Sequence, residues 1–132
     1  MNISDCGSEH SLAQALGGRY GLPHGLTVGL VLAESMDVDR RAAPELFERI
    51  ADALGEPPGG ARDGSRAVRG VVRILAEIDL PVLRTLGVDA SKVDDLAAAA
   101  LADTFISLAP WEWTADDAAE VYRRALSLTA RV

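Results

Sequence analysis

Apolar side chains recur along most of this chain at three- and four-residue intervals, the period of one helix face. Leu12, Ala13 and Leu16 lay such a stripe on a helix over residues 5–16, and the pair Gly17-Gly18 supplies its stop. A connection over 19–23 leads to a second helix over 24–35. Its run Val28-Gly29-Leu30-Val31-Leu32-Ala33 has so little polar face that burial on most sides is expected. Pro44 opens a third helix with Leu46, Phe47, Ile50 and Leu54 on one face, closed by Gly55 with Pro57 beyond. Residues 56–64, rich in Gly and Pro, form the clearest loop. A fourth helix over 65–79 carries Val68, Val71, Val72, Leu75 and Ile78, and residues 81–86 make a short helical turn. Ser91 with Asp94 opens a helix over 91–102 as a capping-box-like pair. After an apolar, aromatic connection over 105–113, Thr114 with Asp117 opens the last helix, which runs to about 128 through Val121, Tyr122, Ala125 and Leu128. Glu120 and Arg124 on it are spaced for an i,i+4 ion pair. Alternating runs that would mark strands are missing. The expectation is a single all-α domain over residues 1–132, a compact bundle of five to seven helices.

Composition agrees with that pattern. Alanine and leucine, both strong helix formers, account for 22 and 17 of the 132 residues, while aromatics make up only 5%. A net charge of −7 gives the electrostatic term the wrong sign for tracking a phosphate backbone, so nucleic acid is not an expected partner. The single Cys6 cannot close an intramolecular disulfide. The longest strongly apolar stretch, residues 22–33, contains Pro23 and His24 and is too short to span a bilayer; with no charged-then-apolar leader in view, a cytoplasmic chain without membrane contact is expected.

Chemistry can be sought by elimination. The chain has no dinucleotide or phosphate-loop glycine fingerprint, no H-E-x-x-H, no C-x-x-C and no G-x-S-x-G. What remains is its only two histidines, His10 and His24, fourteen residues apart. On one straight helix they would be separated by about 21 Å. A break at Gly17-Gly18 allows a helical hairpin to return the chain and bring both imidazoles to one point, with Pro23 fixing φ just before His24. Two unrelated histidines satisfy the same spacing, and a divalent metal normally takes three or more protein ligands. Asp5, Glu9 and Glu34 are near in sequence, but none is at a spacing that forces it onto the same face, and surface exposure is expected for each.

The run His10-Ser-Leu-Ala-Gln14-Ala-Leu-Gly17-Gly18-Arg-Tyr-Gly-Leu-Pro23-His24-Gly25 resembles the second metal-binding motif of the iron-containing (group III) alcohol dehydrogenases, a family that includes maleylacetate reductases and glycerol dehydrogenases. The segment from Pro44 to Gly55, the passage Leu80-Pro81-Val-Leu-Arg-Thr-Leu-Gly87-Val and the ending from Pro110 to Thr114 are similar to later family motifs, so the resemblance covers nearly the whole chain. It implies the later part of an all-helical C-terminal domain of dehydroquinate-synthase-like architecture. By the resemblance, His10 and His24 would be two ligands of a divalent metal, iron first and zinc second. The aspartate and histidine that complete the family's set have no counterpart in this chain, nor does its NAD(P)-binding domain. Gln14 stands where many members have a further histidine, and a glutamine cannot exchange a proton near neutral pH. Ala109-Pro110-Trp111 replaces the family's N-P-R.

The implied activity is NAD(P)-linked interconversion of alcohol and carbonyl substrates, with the metal as Lewis acid. A chain with half the ligands and no hydride carrier would be inactive alone, and a separate NAD(P)-binding half or self-association is the expected partnership. An apolar patch around residues 25–33 and 105–113 would drive it. The alternatives are a stand-alone helical binding or scaffold module that has lost catalysis, or two histidines that are merely packed in the core.

Overall fold

The computed structural model describes residues 6–129. Six α-helices follow one another: α1 (Ser8–Tyr20), α2 (His24–Ala42), α3 (Pro44–Ala53), α4 (Ser65–Glu77), α5 (Val93–Ala102) and α6 (Ala115–Ser127). Short 3-10 turns occupy Leu83–Leu86, Ala90–Lys92 and Thr104–Leu108, and there is no strand among the described residues.

The main core lies where α1, α2, α5 and α6 pack together. Leu12, Leu16, Leu30, Leu83, Val121 and Tyr122 are all fully buried in it. Each such aliphatic side chain contributes about 1.5–3 kcal/mol relative to exposure. Helices α3 and α4 pack on one another and on α2, around a smaller cluster of Phe47, Ala51 and Ala67. Helices α3 and α4 are tied to one another by charge as well as by packing. Arg66 of α4 pairs with Glu48 of α3 at 2.7 Å, both side chains about 95% withdrawn from water, and its remaining donors reach the carbonyls of Glu56 and Pro57. The same guanidinium therefore holds the Gly/Pro-rich loop, and its hydrogen bond keeps the Glu48 carboxyl below its ordinary pKa.

Two helix ends differ from the sequence pattern. Helix α1 does not stop at Gly17-Gly18 but runs on to Tyr20, and the left-handed residue that ends it is Gly21, at φ 64°. A glycine costs a helix only about 1 kcal/mol, and packing against α2 and α5 outweighs that. A Cβ on Gly17 would come within 3.1 Å of the Leu22 carbonyl oxygen, so the small residue serves the close turn into α2. Helix α2 continues beyond residue 35 to Ala42. Its polar end, Asp37-Val38-Asp39-Arg40-Arg41, lies beyond the expected stop and is a helical segment held by ion pairs. Asp37 pairs with Arg40 at 2.7 Å, with Arg41 at 3.3 Å and with Arg124 of α6. The helix ends before Pro44, whose ring disfavours helical backbone at the preceding residue.

Other starts are clearer. Thr114 and Asp117 form the expected reciprocal capping box of α6. Ser91 does not cap α5; Asp89 accepts from its backbone N–H at 2.8 Å, and α5 begins after a 3-10 turn. The Glu120–Arg124 pair exists at 3.4 Å, but Glu120 is held more closely by Arg41 of α2 at 2.7 Å. The apolar run of α2 is covered. Leu30 and Val31 are fully buried, and the exposed large apolar side chains are Leu46, Ile50, Ile74, Ile78 and Leu108. Of the open patch expected around 25–33 and 105–113, the first part is mostly packed, with Leu26, Val28 and Leu32 half-buried, while in the second Leu108 is exposed and Phe105 and Trp111 are half-buried; the other exposed large apolar side chains lie on α3, on α4 and just after α4.

Candidate metal centre

His10 lies in the first turn of α1, and His24 is the first residue of α2. Between the helices stand only residues 21–23, three residues where a stop at the glycine pair led to an expected five. The Pro23 carbonyl accepts the Thr27 N–H at 3.0 Å, and the Thr27 hydroxyl donates back to the His24 carbonyl at 2.8 Å. These bonds fix the first turn of α2 and with it the backbone of His24.

The two imidazoles meet. Their centroids are 4.6 Å apart with the planes at 61°, an edge contact. His10 is half-buried and His24 exposed. Among the described residues, no side chain or backbone group forms a hydrogen bond with either ring. Their nitrogen lone pairs are thus not committed to any described residue, which is what a ligand pair needs. No group of three or more His, Cys, Asp or Glu among the described residues could hold a metal ion. Of the nearby acids, Glu34 is buried rather than exposed, Glu9 is half-buried, and Asp5 lies outside the described residues. Gln14, four residues after His10 on α1, is exposed.

A third ring completes the cluster. Phe105, in the turn after α5, stands 4.6 Å from His10 at 74°. Its place is set by Asp103, whose Oδ1 accepts the Phe105 N–H at 3.0 Å and the hydroxyl of Ser11, fully buried beside His10, at 2.7 Å. The Ser11 bond, more than any other influence, keeps the Asp103 carboxyl below its ordinary pKa. The far end of the same connection is fastened to α2. Asp39 accepts the indole N–H of Trp111 at 2.6 Å and of Trp113 at 2.9 Å on Oδ1, and the Ser8 hydroxyl at 2.8 Å on Oδ2. Burial nevertheless pushes the Asp39 carboxyl up.

Sequence reasoning names the two histidines but neither Phe105 nor the two aspartates as parts of this arrangement. A short acidic residue two positions before Phe105, at the start of a helical turn, is a capping signal that marks Asp103. No comparable local signal marks Asp39.

Comparison with known proteins agrees with this helical fold. Residues 1–126 match the profile of the Fe-containing alcohol dehydrogenase family, C-terminal. The 1,3-propanediol dehydrogenase of Citrobacter freundii is 32% identical over 129 residues, which cover 95% of this chain and 33% of that protein. Lactaldehyde reductase of Escherichia coli K12 is 31% identical over 123 residues, covering 90% of this chain and 32% of the relative. Among solved structures, a 1,3-propanediol oxidoreductase superposes with a TM-score of 0.84 at 30% identity, over 90% of this chain and 32% of that one. The alcohol dehydrogenase of Oenococcus oeni superposes equally well, with a TM-score of 0.84 at 26% identity over 92% of this chain and 33% of its own. The chain thus spans about a third of the length of the relatives it matches. With this profile, this helical fold and these relatives, the chain belongs to the iron-containing alcohol dehydrogenase family and corresponds to its C-terminal part.

Proposed function

We propose that this chain supplies part of the metal centre of an alcohol dehydrogenase-type oxidoreductase that interconverts alcohols and carbonyl compounds with NAD(P), with His10 and His24 as two of the metal's ligands. The observation that carries this reading is the meeting of the two imidazoles at 4.6 Å, across a hairpin and with no hydrogen bond to the rest of the described chain. The donor chemistry fits. Neutral imidazole nitrogens suit iron and zinc alike, and a partly exposed pair leaves coordination positions open to other groups. When bound, the metal would polarise a substrate oxygen as a Lewis acid. The residues of this chain have a narrower part: they hold two imidazoles at a fixed separation, and Phe105 closes one side of His10 against water. The remaining ligands and the site for the nicotinamide cofactor would come from polypeptide outside these 132 residues, either a separate NAD(P)-binding half or another part of a longer chain.

The test is metal binding by the purified chain. Titration with Co2+ under anaerobic conditions, followed by calorimetry, is expected to give one weak site that disappears in both His10→Ala and His24→Ala. Equal uptake by the double variant would overturn the assignment. Without its partner the chain is expected to bind no NADH by fluorescence and to oxidise no alcohol. Co-expression with an α/β half from a neighbouring reading frame is expected to give a stable complex.

A further inference from the structure

We propose that Asp103 is the positioning residue for the His10 imidazole, acting through Phe105 and Ser11; the proposal rests on the reading of His10 as a metal ligand. One carboxylate oxygen does two things at once. It accepts the hydroxyl of Ser11, the residue next to His10 on α1, at 2.7 Å. It also accepts the N–H of Phe105, whose ring is the edge partner of His10, at 3.0 Å. The backbone that carries His10 and the ring that confines it are thus referred to a single atom. His10 is in edge contact with Phe105, at 74° between planes, and with His24, at 61°, so its side chain has a ring neighbour to settle against in addition to its own helix. Of those two neighbours, His24 is exposed, whereas Phe105 is half-buried and has its N–H bound to Asp103. A charge-assisted hydrogen bond is stronger and shorter than a neutral one, which suits the tie to a fixed role.

The second anchorage of this connection makes the effect local. Trp111 and Trp113 are bound to Asp39 on α2 independently of Asp103. Loss of the Asp103 carboxylate would therefore free the turn that bears Phe105 while the later part of the connection stays seated. Ligand orientation by groups that do not touch the metal commonly matters by about 10–100-fold in affinity.

The experiment reads His10 directly, in the metal-free chain, by heteronuclear NMR of the histidine ring protons, with signals assigned through His10→Ala and His24→Ala. Asp103→Ala is expected to move the His10 ring signals toward their values in an unstructured peptide. Asp103→Asn, whose amide oxygen can accept from both Ser11 and Phe105, is expected to restore them. Phe105→Leu keeps both hydrogen bonds and is expected to shift His10 alone, so the test survives even if Asp103→Ala fails to fold. His10 signals unchanged in Phe105→Leu, or equally displaced in Asp103→Asn and Asp103→Ala, would overturn the proposal. A parallel Co2+ titration separates the two levels. Weaker binding by about 10-fold or more in Asp103→Ala, with recovery in Asp103→Asn, is expected. If wild type and the His10→Ala variant bind Co2+ alike while the ring signals respond as expected, the ligand assignment fails and the positioning of the ring stands.

Discussion

The hairpin that brings the histidines together can be tested by two glycines three residues apart. Gly18 lies inside α1 and is exposed, and a Cβ built on it would meet nothing within 4 Å. Gly21 ends the helix at φ 64° and ψ 29°, and a Cβ there also meets nothing within 4 Å. Alanine at either position therefore adds a methyl group in open space, and the difference between the variants isolates the backbone. In a helix interior alanine is favoured over glycine by about 0.8–1.0 kcal/mol, part of it through a more restricted unfolded chain. In the left-handed region an L-residue costs roughly 1–2 kcal/mol. Gly18→Ala is thus expected to stabilise the protein and Gly21→Ala to destabilise it, with the two about 2–3 kcal/mol apart. At about 3–6 °C of Tm per kcal/mol for a chain of this size, the separation is easily read by thermal melts in far-ultraviolet circular dichroism, with urea titration as a second measurement. A loss of stability in Gly18→Ala comparable to that in Gly21→Ala would mean that the helix stops at the glycine pair, and the geometry of the hairpin given above would be wrong.

Other consequences are simpler. The fully buried Tyr122 donates its hydroxyl proton to the Leu12 carbonyl at 2.7 Å, so Tyr122→Phe is expected to cost about 1 kcal/mol in urea unfolding. Asp39 has its pKa raised by burial, so the folded state holds that proton more tightly than the unfolded state, and stability from this group falls as pH rises through its folded pKa. Asp39→Asn keeps an acceptor for both indoles without the charge; its stability should match or exceed wild type at neutral pH, and its advantage should shrink as pH falls toward the ordinary carboxyl value of 3.8. Glu48→Ala leaves Arg66 buried without its main partner and should lower Tm far more than Arg123→Ala, which removes only the exposed pair with Asp94.

What could be read from the sequence divides along one physical line. Elements whose signals are local were legible: the helix α3 opened by Pro44, although Leu46 and Ile50 of its stripe are exposed, the Thr114–Asp117 box, the Gly/Pro loop over 56–64, and the His10–His24 spacing around a turn ending in Pro23. Gly17-Gly18 misled because a glycine that stops a helix and one tolerated within it are the same residue; only packing against the following turn separates them, and the left-handed position fell three residues on, at Gly21. The end of α2 misled for a related reason. Asp37 looks solvated until Arg124, 87 residues away, is brought beside it.

The site divides in the same way. Its candidate ligands sit fourteen residues apart and can be found by inspection. The contacts around them join distant parts of the chain: Ser11 and Asp103 are 92 residues apart, and Asp39 and Trp113, which seat the far end of the same connection, are 74. No pattern within a window of sequence encodes such pairs. A hairpin can thus keep its two histidines through extensive change elsewhere and still lose the orientation of one ring when a distant carboxylate is replaced. If Asp103 positions His10 as proposed, the presence of both histidines in this chain does not by itself secure a competent metal centre. On the proposed reading a competent arrangement needs the histidine pair, the Phe105 ring and an acceptor at position 103 together, the hairpin setting where the imidazoles are and the ring and acceptor setting which way His10 faces.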